Sequence, residues 1–256
     1  MLHVPFLLRC LALVLVILVL ARPQTTNKWQ NSEIEGIDIM LAIDVSTSML
    51  AEDLKPNRLE AAKDVAAEFI NGRPNDNIGI TLFAGETFTQ CPLTVDHAVL
   101  LDMIHNIKCG LITDGTAVGM GIANAVTRLK DSKAKSKVII LLTDGTNNKG
   151  DISPMTAAEI AKSFGIRVYT IGVGTNGMAP YPYPVGNTVQ YVSMPVEIDE
   201  KTLTEIAGTT DGNYFRATSN SKLKEVYEEI DKLEKTKLNV KEYSKPVSYT
   251  HLRAHE

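Results

Sequence analysis

The chain has 256 residues, of which 26 are Lys or Arg and 30 are Asp or Glu, so its formal net charge is −4. Its apolar fraction of 44% is ordinary for a globular protein and excludes a disordered or collagen-like chain. The mild acidic excess argues against a nucleic-acid-binding protein, which usually carries a basic surface. Three cysteines are too few to build a disulfide scaffold.

The chain opens with a hydrophobic segment, Phe6–Ala21, that contains a single arginine. We predict that residues 1–22 form one transmembrane anchor, although the apolar run is slightly shorter than the ~20 residues that usually span a bilayer. A cleaved signal peptide and a buried core helix are the alternatives. Val19–Ala21 makes a poor cleavage site, which favours the anchor. Residues 23–36 are polar without periodicity, which is typical of a linker.

Residues 37–236 are predicted to form one α/β domain. Continuous apolar runs, typical of strands buried on both faces of a sheet, occur at Ile37–Asp44, Ile78–Ala84, Lys137–Asp144 and Arg167–Val173. Helical patterns lie between and after them, following Asn57, at 95–107, at 116–130, following Ser153, at 199–207 and at 219–236. This alternation predicts a Rossmann-like, doubly wound, mostly parallel sheet with helices on both faces.

The remaining segments are assigned from their turn-forming residues. Thr87–Leu93 is predicted to be an antiparallel edge strand that ends at Pro92, because proline cannot donate to a sheet ladder. Residues 174–195 are rich in Gly, Pro and Tyr and predict a loop that holds a small hairpin, and 213–217 predicts a short strand. The tail 237–256 lies outside the domain, and we interpret its last residues, SYTHLRAHE, as a sequence artefact.

Oxygen-bearing side chains follow the predicted strands at the edge where ligands bind in open α/β sheets. Two carboxylates and three hydroxyls are in position to meet there: Asp44, Ser46, Ser48, Thr116 and Asp144. Oxygen ligands of this kind suit Mg²⁺, with Mn²⁺ as the alternative ion. Thr113 is a rival for the threonine position, although the Gly-Thr-Ala helix start favours Thr116.

The order Asp-x-Ser-x-Ser, then Thr, then Asp resembles the metal-ion-dependent adhesion site (MIDAS) of von Willebrand factor A (VWA) domains. The stretches DVSTSMLAEDLKPNRLEAAK, CPLTVDHAVLL and RVYTIGVGTNGMAPYP further resemble membrane-anchored VWA proteins of the Bacteroides aerotolerance (Bat) family. The resemblance implies that Ser46, Ser48 and Thr116 bind Mg²⁺ directly. It also implies that Asp44 and Asp144 act largely through water, and that a partner's Glu or Asp completes the shell.

The Bat resemblance also implies a cellular setting. Such proteins work beside MoxR-type AAA+ ATPases and sister Bat proteins, so we expect partners of these kinds and a role in envelope assembly or stress tolerance. The VWA domain is expected on the periplasmic side of the inner (cytoplasmic) membrane. Bat proteins usually carry further hydrophobic segments before and after the part seen here, so the chain is expected to be a fragment. In adhesion-type VWA relatives the last helix shifts on ligand binding, so helix 219–236 either couples to the metal or is a static lid.

Two other functions stay open at this stage, a secreted soluble VWA module and a Mg²⁺-dependent phosphohydrolase. The chain has no P-loop and no Gly-x-Ser-x-Gly elbow. A haloacid-dehalogenase-like phosphatase would also need a second Asp where Ser46 stands. The sequence therefore favours an interaction protein over an enzyme.

Several side chains have both a functional and a purely structural interpretation. Cys91 and Cys109 flank one helix and are either isolated core thiols, a disulfide or a metal pair. His97 and His105 are interpreted as residues of a solvated helix face. The segment Tyr181–Pro184 is either a partner contact or the packing of an ordinary loop.

Overall fold

A six-stranded sheet forms the centre of the computed structural model, which describes residues 36–185 and 188–243 and the single residue Ala12. The strands of the described residues are β1 (Asp38–Asp44), β2 (Asn77–Phe83), β3 (Thr87–Thr94), β4 (Lys137–Thr143), β5 (Ile166–Val173), β6 (Met178–Val185), β7 (Thr188–Pro195) and β8 (Tyr214–Ala217). The central sheet has the order β3-β2-β1-β4-β5-β8, and β3 alone runs antiparallel to its neighbour. The predicted mostly parallel sheet with one antiparallel edge strand is thus confirmed.

Helices connect the strands and begin where the sequence places caps. They are α1 (Arg58–Asn71), α2 (His97–His105), α3 (Val118–Leu129), α4 (Pro154–Ser163), α5 (Glu200–Thr209) and α6 (Asn220–Tyr243). The Asn57 side chain accepts a hydrogen bond from the Glu60 backbone N–H, and Ser153 caps α4 in the same way. Such caps satisfy backbone donors that a helix start leaves free.

The core lies on both faces of the sheet because successive residues of a strand point to opposite sides. Ile39, Leu41 and Ile43 of β1 join the core under α1, α2 and α6. Met40 and Ala42 join the core under α3, α4 and α5. The continuous apolar run of the first strand follows from this double burial.

The parallel pairing of β1 with β4 places the two aspartates of the predicted site at one edge of the sheet. The two strands are in register from Asp38 opposite Lys137 to Ile43 opposite Leu142. Because the strands run in the same direction, their carboxyl ends meet at the same edge of the sheet. Asp44 and Asp144 therefore come together there although they are 100 positions apart (144 − 44).

Strand β3 differs from its prediction at one end. It continues through Pro92 to Thr94, so the predicted stop at Pro92 is wrong. Pro92 is exposed on an edge strand, where its missing N–H needs no ladder partner. The pairing with β2 also shifts register near Ile80, which accommodates the irregularity.

The Gly-, Pro- and Tyr-rich segment forms a separate antiparallel hairpin, β6 with β7. Prolines stand at every second position of β6, at 180, 182 and 184. Successive residues of a strand direct their backbone groups to opposite edges, so residues at every second position share an edge and the missing N–H donors all fall on one edge. The predicted hairpin therefore forms without loss of its internal ladder.

The segments predicted for the two ends of the chain lie largely outside the described residues. Apart from Ala12 and Gly36, the predicted anchor (1–22) and linker (23–36) lie outside them, as does the tail beyond Tyr243. Helix α6 extends past the predicted end at residue 236. Within residues 36–185 and 188–243, no helix combines the length and the apolar character needed to cross a membrane.

Candidate metal centre

The candidate metal centre lies at the carboxyl edge of the sheet, where β1 and β4 end side by side. Asp44 is the last residue of β1, and Ser48 lies in the short 3₁₀ turn Thr47–Leu50 that follows. Asp144 comes directly after β4, and Thr116 precedes α3. The fold thus brings three separate segments of the predicted motif to one edge.

Asp44 anchors the centre from within the sheet. Its side chain is fully buried, with 0% exposure. One carboxylate oxygen accepts the backbone N–H of Ser46 at 2.9 Å, and the other accepts the Thr143 hydroxyl at 2.6 Å. These two bonds hold the carboxylate in one orientation. The bond to Ser46 also brings the turn that carries the serines next to the carboxylate.

The two serines connect this turn to the second carboxylate. The Ser46 Oγ lies 3.0 Å from the Ser48 Oγ, and the Ser48 hydroxyl donates to Asp144 Oδ1 at 2.7 Å. Ser46 is buried, whereas Ser48 is exposed. The cluster therefore runs from the interior to the surface, where a partner can reach it.

Thr116, rather than Thr113, borders the cluster. A methyl group on Gly145 would come within 3.4 Å of the Thr116 Oγ1, so this hydroxyl faces the turn that follows Asp144. The Thr116 backbone N–H donates to Asn148 Oδ1 at 2.9 Å, which holds the threonine in place. Thr113 is exposed and its hydroxyl donates towards Glu86 at 3.5 Å.

Burial makes the two carboxylates of the centre electrostatically costly. It raises the pKa of Asp44 to about 7, and the nearby charge of Asp144 adds to the effect. Burial also raises the pKa of Asp144, although Arg58 opposes the shift. A cation placed between them would relieve this cost.

The donor set fits a hard divalent cation, because every candidate donor is an oxygen. Among the described residues, no group of three or more His, Cys, Asp or Glu side chains is arranged to hold a metal. A metal at this edge would therefore depend on hydroxyl oxygens and water as well as on carboxylates. Neutral ligands leave a bound cation strongly attractive to a further carboxylate.

Two residues of the centre were missed by the sequence analysis. Arg58, treated there only as the start of a helix, donates to Asp144 Oδ2 at 2.6 Å. Asp114, just before Thr116, accepts the Thr47 backbone N–H at 3.0 Å and the Thr47 hydroxyl at 2.9 Å. Burial raises the pKa of Asp114, but the bonds from Thr47 outweigh it and lower the pKa overall. Asp114 lies two positions before Thr116, which was the one local signal, whereas Arg58 lies ten positions after Ser48 (58 − 48) and had none.

The two cysteines of the described domain are free thiols. Cys91 is buried in the core on β3, and the Cys109 thiol lies 3.4 Å from the backbone oxygen of Ser46. The isolated-thiol interpretation agrees with the structure, and the disulfide and metal-pair interpretations do not.

The remaining candidates lie away from the cluster. His105 is exposed as predicted, but His97 is half-buried and its ring lies 3.2 Å from the Asp76 carbonyl. On the hairpin, Tyr181 is half-buried and Tyr183 is 56% exposed. Packing therefore accounts for one tyrosine and not for the other.

Comparison with known proteins places this geometry in a family. The family model for the von Willebrand factor type A domain matches residues 38–229. The structure of BatB from Bacteroides thetaiotaomicron is similar, with 34% identity, a TM-score of 0.69 and coverage of 78% of this chain and 100% of that one. An aerotolerance-related membrane protein from Bacteroides fragilis has 32% identity and a TM-score of 0.68, with 77% and 98% coverage.

A third similar structure carries a metal at a site of this kind. Proximal thread matrix protein 1 from the mussel byssus, solved with a zinc-occupied MIDAS motif, is 25% identical with a TM-score of 0.61. The similarity covers 78% of this chain and 46% of that protein. Since the family model spans nearly the whole described domain, this chain belongs to the von Willebrand factor type A domain family.

Proposed function

We propose that this chain is a membrane-anchored VWA protein of the BatA type that binds protein partners through Mg²⁺ at the candidate metal centre. The observation that carries the proposal is the linked set of hydroxyls and buried carboxylates at the carboxyl edge, from Asp44 through Ser46 and Ser48 to Asp144. Ser46, Ser48 and Thr116 would hold the ion directly. Asp44 and Asp144 would act largely through water.

The chemistry of the ion gives the partner its role. Mg²⁺ takes six oxygen ligands and gives up its water reluctantly. Three neutral hydroxyls leave the ion with most of its charge, so a Glu or Asp from a partner is a favourable last ligand. The exposed position of Ser48 supports access from outside. The function is binding, with no catalytic role for the centre.

The similar structures support a setting in the cell envelope. One of them, from Bacteroides fragilis, is described as an aerotolerance-related membrane protein. By this likeness, residues 1–22 anchor the chain in the inner membrane, 23–36 form a linker, and the domain 37–236 lies in the periplasm. Sister Bat proteins and a MoxR-type AAA+ ATPase are the proposed partners, in envelope assembly or stress tolerance.

The threonine pair of the site loop provides a matched test of metal binding. We expect Thr116→Ala to weaken Mg²⁺ binding at least about tenfold in calorimetric titration, because it removes a direct ligand. Thr113→Ala, three residues away and bonded towards Glu86, should bind Mg²⁺ as the wild type does. Equal Mg²⁺ affinities in all three proteins would contradict the assignment of the ligands.

A partner capture experiment tests the binding function itself. Detergent-solubilised membranes containing the tagged chain should retain Bat-type or MoxR-type proteins with Mg²⁺ and lose them with EDTA. The Thr116→Ala variant should lose them in both conditions. Retention that is insensitive to EDTA would argue against a metal-mediated contact.

A further inference from the structure

A buried arginine contacts the candidate metal centre through Asp144. Arg58 is 3% exposed, and its guanidinium joins two carboxylates. Its Nη1 donates to Asp144 Oδ2 at 2.6 Å, while its Nε and Nη2 donate to the two oxygens of Asp53 at 2.8 and 2.7 Å. The planar fork of arginine allows this double attachment, which a lysine could not reproduce.

Neighbouring groups prevent the arginine from turning away. Asp53 Oδ2 also accepts the Thr175 backbone N–H at 2.8 Å, and Asp53 Oδ1 accepts the Leu54 N–H at 3.1 Å. Gly174, with φ +142°, lies against the guanidinium, and a methyl group there would come within 2.8 Å of Nη2. Arg58 is thus a built part of the edge, held on the Asp144 oxygen that Ser48 does not contact.

The contact with Arg58 determines which carboxylate oxygen of Asp144 faces the serines. Oδ2 is taken by Arg58, and Oδ1 alone meets the Ser48 hydroxyl. A cation that arrives beside Ser48 therefore meets a single oxygen of Asp144. It also meets a carboxylate whose charge is already partly balanced by a guanidinium in direct contact.

We propose that Arg58 is a built-in counter-cation that orients Asp144 and holds down the Mg²⁺ affinity of the free domain. The inference rests on the proposed function, since it concerns the same metal centre. A domain with weaker intrinsic affinity keeps its ion best when a partner's carboxylate completes the shell. Arg58 is a positioning residue in this scheme, because it acts on the metal through Asp144.

Removing the charge of Arg58 tests the proposal, because the proposal predicts that the Mg²⁺ affinity of the free domain then rises. In Arg58→Gln, Asp144 loses its counter-charge, so the free domain should bind Mg²⁺ at least about tenfold more tightly in calorimetric titration. Arg58→Lys keeps a charge and should stay closer to the wild type. A residue that only supports the fold would leave Mg²⁺ affinity equal or weaker on removal, and that result would overturn the proposal.

A matched control uses a second arginine, which is half-buried and pairs with a buried carboxylate. Arg167 pairs with Glu234 through the N-terminal part of β5, at the opposite end of the strands from the metal centre. Arg167→Gln should leave Mg²⁺ affinity unchanged, although it also removes an arginine from a buried ion pair. A similar tightening in this variant would show a general charge effect and overturn the specific role of Arg58.

A measurement on the wild type keeps the proposal testable if Arg58→Gln fails to fold. A crystal structure of the Mg²⁺-loaded wild type should retain the Arg58 Nη1 contact with Asp144 Oδ2. An arginine displaced from Asp144 by the ion would overturn the proposal. Absence of Mg²⁺ binding by the wild type would instead refute the proposed function, so the two failures are distinguishable.

Discussion

Single residues at the carboxyl edge combine burial with charge, which is costly in a protein interior. Asp44 has no exposure, yet both of its oxygens accept hydrogen bonds, from Ser46 and Thr143. Leaving such a group without partners would cost several kcal/mol, so these hydrogen bonds support the charged form against burial and the nearby charge of Asp144. Cys109 also lies at this edge, because its thiol is 3.4 Å from the Ser46 backbone oxygen.

At the residue scale, we predict that the two thiols of the domain are unreactive in the folded protein. Burial, with help from nearby carboxylates including Asp44, raises the pKa of Cys109 to about 12, and burial also raises the pKa of Cys91. The thiolate is the reactive form. Both thiols should therefore resist iodoacetamide at about pH 8 in the folded protein, as read by intact mass spectrometry of a Cys10→Ser variant.

Unfolding provides the control for this labelling. In denaturant without reductant, Cys91 and Cys109 should both become alkylated, because exposure restores an ordinary thiol pKa. A sample that gains no label under these conditions would contain a disulfide, contrary to the free thiols of the structure.

At the scale of elements, α6 is held by more than its apolar stripe. This stripe consists of four buried residues that recur at helical spacing: Leu223, Val226, Tyr227 and Ile230. The charged residues of the helix also make contacts, since Asp231 pairs with Arg73 at 2.6 Å and Lys224 pairs with Glu68. These ion pairs weigh against free sliding of α6, and coupling of this helix to the metal stays a prediction.

The strongest attachment of α6 is a buried carboxylate that helical spacing did not reveal. Glu234 is 1% exposed and accepts hydrogen bonds from Arg167, from the Tyr169 hydroxyl at 2.6 Å and from Ser136 at 2.8 Å. Burial raises the pKa of Glu234, but the bonds from Arg167 and Tyr169 outweigh it and lower the pKa below 4.5. A lowered pKa means that the charged form stabilises the fold.

Glu234→Gln should therefore destabilise the domain in a pH-dependent way. Near pH 7 we expect a loss of about 3 kcal/mol in the free energy of unfolding, since removing one member of a buried pair leaves Arg167 unbalanced. The loss should persist above the unfolded pKa of 4.5 and shrink as the pH falls below it, through the lower folded pKa. Urea unfolding at several pH values measures it.

An exposed glutamate of the same helix serves as the control. Glu229→Gln should change the free energy of unfolding by less than about 0.5 kcal/mol at every pH. A Glu234→Gln penalty that stays constant or grows at acidic pH would contradict the role of the charged form.

At the scale of the whole molecule, the candidate metal centre lies at one edge of the sheet. The hairpin β6–β7, which has no charged residue, contacts the domain near this edge. The Glu52 N–H donates to the Pro180 carbonyl at 2.9 Å, and the Tyr191 hydroxyl donates to Glu52 at 3.0 Å. The hairpin is thus attached to the segment that follows the serine-bearing turn.

Membrane attachment is the prediction for the whole chain. The full-length protein, expressed in a Gram-negative host, should resist carbonate extraction, because Phe6–Ala21 is an apolar run without a good cleavage site. Its N-terminus should not begin near Arg22 when sequenced. Leu15→Arg should shift the protein to the soluble fraction, since a charge at the centre of the segment costs about 3 kcal/mol. A mature chain that starts at Arg22 would instead support the secreted module.

Local patterns in the sequence were sufficient to predict the elements and most of the candidate site. Continuous apolar runs identify doubly buried strands, and Asn57 and Ser153 mark helix starts, because these signals arise from neighbouring residues. The site motif was readable for the same reason. Its serines follow one strand at close spacing, and a second aspartate directly follows another strand.

The tertiary structure alone decided which distant side chains pair. Arg58 and Asp144 are 86 positions apart, and Tyr169 and Glu234 are 65 apart. Whether such groups meet depends on strand order, register and helix docking, which no local periodicity encodes. The separation of the two thiols follows from the same long-range geometry. A buried charge is stable only where the fold delivers its partner, so these pairs become visible only once the chain is folded.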